Sequence, residues 1–351
     1  MRSSRDLRAC ASALLLCAFG LSMPAVADEA TDHNNLGTRY VAAGHLDQGI
    51  EELRLAVQIN PNRGLFHSNL AGALDKRGDF AEAIQQFQQA NAPDSGLATV
   101  HSNYGTALYH GGQFAAALKQ FQRALNLSTG GDDTATIHNN MGLVFDRESQ
   151  FARAVTEYHV AMQQGLDSVL LHTNLGLALY HQHDFDAAIS EFQGAIGHQP
   201  DDLLAYNGLM ECYIKAHRYG EAITTGESAL KLGGDDATFL SNMGSALSHE
   251  QRYDEAIGDY RLALKSSPSN PLIHNNLGLV LYRQDKFAEA IKEYEAALAL
   301  DAKNPVFYEN YGLALYRVDR HEDAHAAWQK MKTVGDAQKI ALAKALLAHY
   351  P

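Results

Sequence analysis

The sequence predicts an all-α chain of stacked helix-turn-helix hairpins. Two observations carry that prediction: the chain aligns with itself at a period of 34 residues, and each period shows two short amphipathic stretches around a tight turn. A mid-helix glycine recurs at Gly37, Gly105, Gly142, Gly176, Gly244, Gly278 and Gly312, with Ala71 and Met210 in the two gaps. Steps between these positions are 34 residues, except for one of 37 between Gly105 and Gly142.

Other columns keep the same register. An aromatic follows at Phe80, Phe114, Phe151, Phe185, Tyr219, Tyr253 and Phe287. A small residue follows from Gly49 and Ala83 through Ala324, and a second alanine column runs from Ala56 to Ala297. Between them stands a large residue: Leu53, Phe87, Phe121, Tyr158, Phe192, Tyr260, Tyr294 or Trp328. A mid-helix Gly costs about 1 kcal/mol relative to Ala. Its return predicts that two helices approach closely there, with the alanine columns as the facing surface. One hairpin cannot bury its apolar face alone, so the hairpins must stack. The sixth period has Gly208 for the usual Asn and Gly226 for the large residue, which predicts a looser joint.

The first 27 residues read as a secretory signal. Arg2, Arg5 and Arg8 precede an apolar run, Ala9 to Leu21, that is too short to span a bilayer comfortably. "AVA" at 25–27 fits the small-x-small cleavage rule. The expected location is a bacterial periplasm after cleavage following Ala27. Lipidation at Cys17 and secretion are the alternatives, and no later stretch predicts a transmembrane span. Cleavage removes Cys10 and Cys17, leaving Cys212 alone, so no internal disulfide is expected. The chain carries 28 Lys+Arg against 41 Asp+Glu, a net charge of −13. Such an acidic body argues against nucleic acid as the main partner.

These columns resemble the tetratricopeptide repeat family, whose 34-residue signature places Trp, Leu-Gly, Tyr, Ala, an aromatic, Ala and Pro in this order. The resemblance covers nine repeats, at about 30–63, 64–97, 98–131, 135–168, 169–202, 203–236, 237–270, 271–304 and 305–338, with 339–351 as a capping helix. The main departure is His in the Trp column, at His33, His67, His101, His138, His172 and His274. The resemblance implies a right-handed superhelix, an α-solenoid, whose first helices line a concave groove.

One polar column is not explained by packing. Asn recurs at Asn35, Asn69, Asn103, Asn140, Asn174, Asn242, Asn276 and Asn310. Seven residues on, along the same helical face, stand Lys76, His110, Arg147, His181, Lys215, His249, Arg283 and Arg317. An Asn amide offers both a donor and an acceptor, the complement of an extended peptide backbone. Packed helices lie about 8–10 Å apart and an extended chain rises about 3.3 Å per residue. An Asn ladder therefore meets a bound strand about once every three residues. Tyr109, Tyr180, Tyr282 and Tyr316 flank the ladder as stacking or apolar contacts, and the basic column favours acidic segments. The competing reading makes the Asn residues structural, bonded to their neighbours. The His column, about 160° from the Asn on the same helix, is expected on the core side.

Sharper motifs are weak. "HEDAH" at 321–325 matches H-E-x-x-H, but no third metal ligand follows at useful spacing. It is the one candidate for a metallohydrolase. The "GGDD" loops lack alternating calcium ligands, and no nucleophile constellation or phosphate-binding loop is present. The expected function is a non-catalytic scaffold, without cofactor or metal, that binds an extended protein or peptide segment in its groove. The alternative is a structural subunit of an envelope assembly, for polymer export or a pilus, docking through its convex face. Nothing in the sequence states the oligomeric state.

Overall fold

A computed structural model describes residues 23–90 and 96–350, with side chains from residue 29 onward except that of Asp132. The signal assignment at 1–27 lies outside the described residues except for its last five, which open the first helix. The described residues form nineteen helices, joined by short turns. None is long and apolar enough to cross a membrane. The chain divides into two compact units, 1–166 and 167–351.

The first unit holds four hairpins. They are α1 (Met23–Ala42) with α2 (Leu46–Ile59), α3 (Gly64–Arg77) with α4 (Phe80–Gln89), α5 (Ala98–His110) with α6 (Phe114–Leu127), and α7 (Asp132–Arg147) with α8 (Phe151–Gln163). The second unit holds five: α9 (Val169–His181) with α10 (Phe185–His198), α11 (Leu203–Lys215) with α12 (Tyr219–Leu230), α13 (Ala237–His249) with α14 (Tyr253–Ser266), α15 (Pro271–Arg283) with α16 (Phe287–Leu300), and α17 (Pro305–Tyr316) with α18 (His321–Val334). A last helix, α19 (Ala337–His349), packs on α18. Within each unit the first helices of successive hairpins touch one another directly, which places them on the inner side of that unit's bend.

The starts of these helices are written in the sequence. Ser168, Asp184, Asp202, Asp236, Asn270, Asn304 and Asp336 each accept a backbone N–H from the first turn. The acidic end of the second "GGDD" is therefore a cap, since Asp236 Oδ1 accepts from Thr238 and Phe239 at 2.9 Å. The turn inside each hairpin ends in a left-handed residue. Gly44, Gly78 and Gly112 fill that place early, and Ser149, His183, His217, Gln251, Asp285 and Asp319 fill it later.

The repeated glycine does mark a close approach, but its facing surface differs from the expected one. A Cβ added at Gly105 would lie 2.7 Å from the Phe121 ring, and one at Gly278 would lie 2.8 Å from the Tyr294 ring. The large column, rather than the alanine columns, meets the glycines: a flat ring fits against bare backbone where a methyl surface would leave a gap. The rings of Phe121, Tyr158, Phe192, Tyr260, Tyr294 and Trp328 are almost wholly buried. At the sixth repeat, Met243 fills the place beside Gly226, its Sδ 2.5 Å from an added Cβ, and the Phe192 ring fills the place beside Gly208. The joint expected to be loose is occupied by neighbouring side chains.

The His column sits on the core side and has partners the sequence reading did not name. In each of six repeats His Nδ1 meets a side-chain oxygen 19 residues on: His33–Glu52 2.6 Å, His67–Gln86 2.7 Å, His101–Gln120 2.8 Å, His138–Glu157 2.7 Å, His172–Glu191 2.7 Å and His274–Glu293 2.7 Å. This clasp ties the first helix of a hairpin to its second, and satisfies polar groups that burial would otherwise penalise. The seventh repeat lacks it, because Leu240 replaces the His and Asp259 stands in the partner's place. Burial, with Glu255 one turn earlier, pushes the Asp259 carboxyl up to about 6 from an ordinary 3.8. A raised carboxyl means that the folded state holds its proton longer than the unfolded chain does. Stability from this group is therefore lost as pH rises from about 4 to about 6. Asp259→Asn should remove that part of the pH dependence and raise the urea midpoint at pH 7 but not at pH 4. Equal midpoint shifts at both pH values would refute the assignment.

Candidate functional site

The inner face of the first helices carries three aligned sets of side chains. The basic column is exposed throughout, at Lys76, His110, Arg147, His181, Lys215, His249, Arg283 and Arg317. Asn35 and Asn103 are exposed, while Asn69, Asn140, Asn174, Asn242, Asn276 and Asn310 are half-buried. Tyr109, Tyr180, Tyr282 and Tyr316 are also half-buried, each one residue before a basic-column position. One turn before the Asn, on the same face, stand exposed leucines that the sequence reading missed: Leu65, Leu170, Leu204 and Leu272. The signal for them was available, since each lies four residues before an Asn-column position.

Among the hollows on this face, two share a set of side chains; another, of about 160 Å³, holds Asn103 with Ser102 and Asp133 and has no lysine. In the first unit, one of about 380 Å³ joins Lys76 and Asn69 of α3 to Asn103 and Thr106 of α5, with Thr38 on α1. In the second unit, one of about 220 Å³ joins Lys215 of α11 to Asn242 and Ser245 of α13, with Tyr180 on α9. Both repeat one motif: a lysine from one first helix, then an Asn and a hydroxyl from the next. Lys76 and Lys215 form no ion pair with another described residue, and a carboxylate also lines each hollow, Asp75 bonded to His110 in the first and Glu211 bonded to Asn242 in the second.

Several Asn amides are already engaged. Asn69 Nδ2 donates to Asn34 Oδ1 at 2.8 Å, Asn310 Nδ2 to Asn275 Oδ1 at 2.9 Å, and Asn242 Nδ2 to Asn207 Oδ1 at 3.0 Å and Glu211 Oε1 at 3.1 Å. The acceptors Asn34, Asn207 and Asn275 stand one residue before the column in the preceding repeat, and Asn34 and Asn275 are buried. The Asn stripe thus does contribute packing: at Asn69, Asn242 and Asn310 the amide N–H ties one repeat to the one before, and at Asn140 and Asn276 the amide oxygen accepts from the preceding Asn139 and Asn275. The doublets Asn34-Asn35 and Asn275-Asn276 are the trace of this in the sequence, while at Asn139-Asn140 the bond is not made: Asn139 Oδ1 and the Nδ2 of Asn174 in the next repeat are buried without a partner among the described residues.

The basic column also reaches back one repeat. His110 Nδ1 meets Asp75 at 2.9 Å, Arg147 donates to Tyr109 Oη at 3.2 Å, and Arg283 donates to Ser248 Oγ at 3.0 Å. Arg317 pairs with Asp285 at 3.2 Å and lies over the Phe287 ring. His249 stacks on Tyr219 at 4.2 Å between ring centroids. Desolvation of its ring, with Arg283 nearby, holds its pKa below the ordinary value.

The remaining motifs take structural roles. His325 Nε2 meets the Tyr350 carbonyl oxygen, and His321 packs its ring 4.3 Å from that of Tyr316. His325 thus sits against the last described residue, and among the described residues neither "HEDAH" histidine belongs to a group of three potential metal ligands. Burial pushes the Cys212 thiol up to about 12, far from a reactive thiolate.

Sequence profiles of the tetratricopeptide repeat match residues 34–97, 139–202, 213–271, 242–305 and 275–331, and related profiles of the same repeat match 96–163 and 179–241. The chain belongs to the tetratricopeptide repeat family. No curated protein sequence matches it. Among solved structures, the APC/C hetero-tetramer Cut9-Hcn1 aligns with a TM-score of 0.53 at 17% identity, over 77% of this chain and 52% of that one. The chain thus spans about half the length of that relative. A tetratricopeptide repeat protein of Parabacteroides merdae aligns at 0.52 and 16% identity, over 72% of this chain and 99% of that one. The C-terminal part of a repeat protein of Cytophaga hutchinsonii aligns at 0.55 and 17% identity, over 69% and 98%. At these identities the likeness shows the fold.

Proposed function

We propose that this chain is a non-catalytic scaffold that binds an extended, acidic segment of a partner protein along its first helices. The observation that carries the reading is the repetition of one Lys–Asn–hydroxyl set in two separate hollows, one in each unit. A lysine offers an ammonium to a carboxylate side chain, and the Asn oxygen and the hydroxyl serve the backbone N–H and C=O beside it. The exposed leucines give the same strand apolar contacts. Asn amides held by the preceding repeat are fixed in direction, which lowers the entropy lost on binding. The basic start and the "AVA" site support export, so the scaffold works in a bacterial periplasm.

The test uses a peptide selected on the full chain from a random display library. Lys76, Asn103 and Lys215 are exposed, so the triple variant Lys76→Ala, Asn103→Ala, Lys215→Ala should fold normally. We expect its affinity for the selected peptide to fall at least about tenfold, equivalent to about 1.4 kcal/mol. Unchanged affinity with an unchanged circular dichroism spectrum would overturn the groove reading.

A further inference from the structure

The geometry points to a divalent transition-metal site at Asp167, His172 and His198 in the fifth repeat. Asp167 Oδ1 lies 2.9 Å from His172 Nε2 and 2.8 Å from His198 Nε2, and the three ligand atoms fall within 4.8 Å of one another. Two imidazole nitrogens and one carboxylate oxygen form a donor set suited to zinc and its neighbours. A tetrahedral ion with bonds of about 2.0–2.1 Å separates its ligand atoms by roughly 3.4 Å. Each nitrogen then needs to retreat from the oxygen by roughly half an ångström. The Asp167 carboxylate is mostly exposed and His198 is partly so, which leaves room for that movement and a path for entry.

Three features set this repeat apart from its neighbours. First, His172 is oriented as metal-bound histidines are: its Nδ1 meets Glu191 Oε2 at 2.7 Å, and its Nε2 is aimed at Asp167. In the tautomer that donates from Nδ1, Nε2 turns its lone pair toward a carboxylate oxygen. Two acceptors facing each other need a cation between them, a proton or a metal ion. In two other repeats the column's Nε2 faces a backbone carbonyl instead, Pro61 at 2.8 Å from His67 and Pro268 at 3.2 Å from His274. Second, His198 is the one histidine in a column that otherwise reads Ile59, Pro93, Leu127, Gln164, Leu232, Ser266, Leu300 and Val334, and it stacks on His172 with ring centroids 5.3 Å apart. Third, Gly194 is the one glycine in a column that otherwise reads Leu55, Gln89, Arg123, Val160, Ser228, Leu262, Ala296 and Lys330, and an added Cβ there would lie 2.9 Å from His172 Nδ1. The small residue gives the imidazole its position against α10.

A metal held here joins the turn before α9 to the C-terminal end of α10, closing the outer edge of the hairpin. Three protein ligands leave a fourth tetrahedral position for water or for a ligand from a bound protein. The experiment measures Zn²⁺ binding to the chelator-treated full chain by calorimetry, and Co²⁺ binding by its visible absorption. The expected result is one ion per chain in a four-coordinate site, lost in Asp167→Asn and in His198→Gln. His159→Gln, at an exposed histidine on α8, should leave it intact. Glu191→Gln should weaken the affinity about 10–100-fold, as loss of an orienting carboxylate does. An absence of binding by the wild-type chain, or equal binding by the His198→Gln and wild-type chains, would overturn the assignment.

Discussion

Trp328→Ala is expected to cost about 3–5 kcal/mol, the range for emptying a buried aromatic site. Trp328 is wholly buried in the last hairpin. Its Nε1–H points at the Glu309 carbonyl oxygen at 3.5 Å, its indole covers Gly312, and the rings of Tyr316, Tyr350 and His325 surround it. The residue facing the indole on α17, Gly312, has no side chain with which to refill the space. Each repeat contacts mainly its neighbours, so the loss should stay local. Hydrogen exchange should show α17, α18 and α19 losing protection while α9 to α14 keep theirs. Uniform loss across the second unit would mean that its hairpins unfold as one block.

Gly278→Val should destabilise the eighth repeat by about 2–3 kcal/mol through overpacking. The added branches meet the Tyr294 ring, which is wholly buried and cannot swing away. The better helix propensity of Val over Gly returns only a few tenths of a kcal/mol. The cause can be isolated by a double-mutant cycle. Tyr294→Ala alone leaves a cavity, and Gly278→Val alone overfills the contact. Combined, the two should cost clearly less than their sum. Strict additivity of the denaturation free energies would show that the valine strains something other than this ring.

The fold was legible because its signal is periodic. Columns of Gly, Ala and aromatics repeat along the chain at a spacing that the hairpin imposes, and they mark which faces pack. Side-chain partners were harder to read. The His–Glu/Gln clasp links residues 19 apart on two helices, where no single-helix periodicity reveals it. The Asn–Asn bonds link residues 35 apart in successive repeats, one step off the period, so aligning like with like conceals them. That is also why the Asn column read as unexplained by packing, when part of it joins repeat to repeat. The cluster at Asp167, His172 and His198 was least legible, because His172 reads as one more member of the His column, Asp167 lines up with Asp133, Asp201 and Asp235, and only His198 departs from its column. The surface leucines were visible but read as ordinary variation, since a single exposed leucine carries no information.

The central claim is that the inner face of the first helices is the surface that receives a partner. The direct measurement is site-specific photo-crosslinking in cells, with a photoreactive residue placed in turn at Asn103, at Lys215 and at the exposed Gln122 on α6. The account predicts covalent protein adducts from positions 103 and 215 and none from 122. Adducts from 122, with none from 103 or 215, would contradict it and move the interaction to the second-helix face.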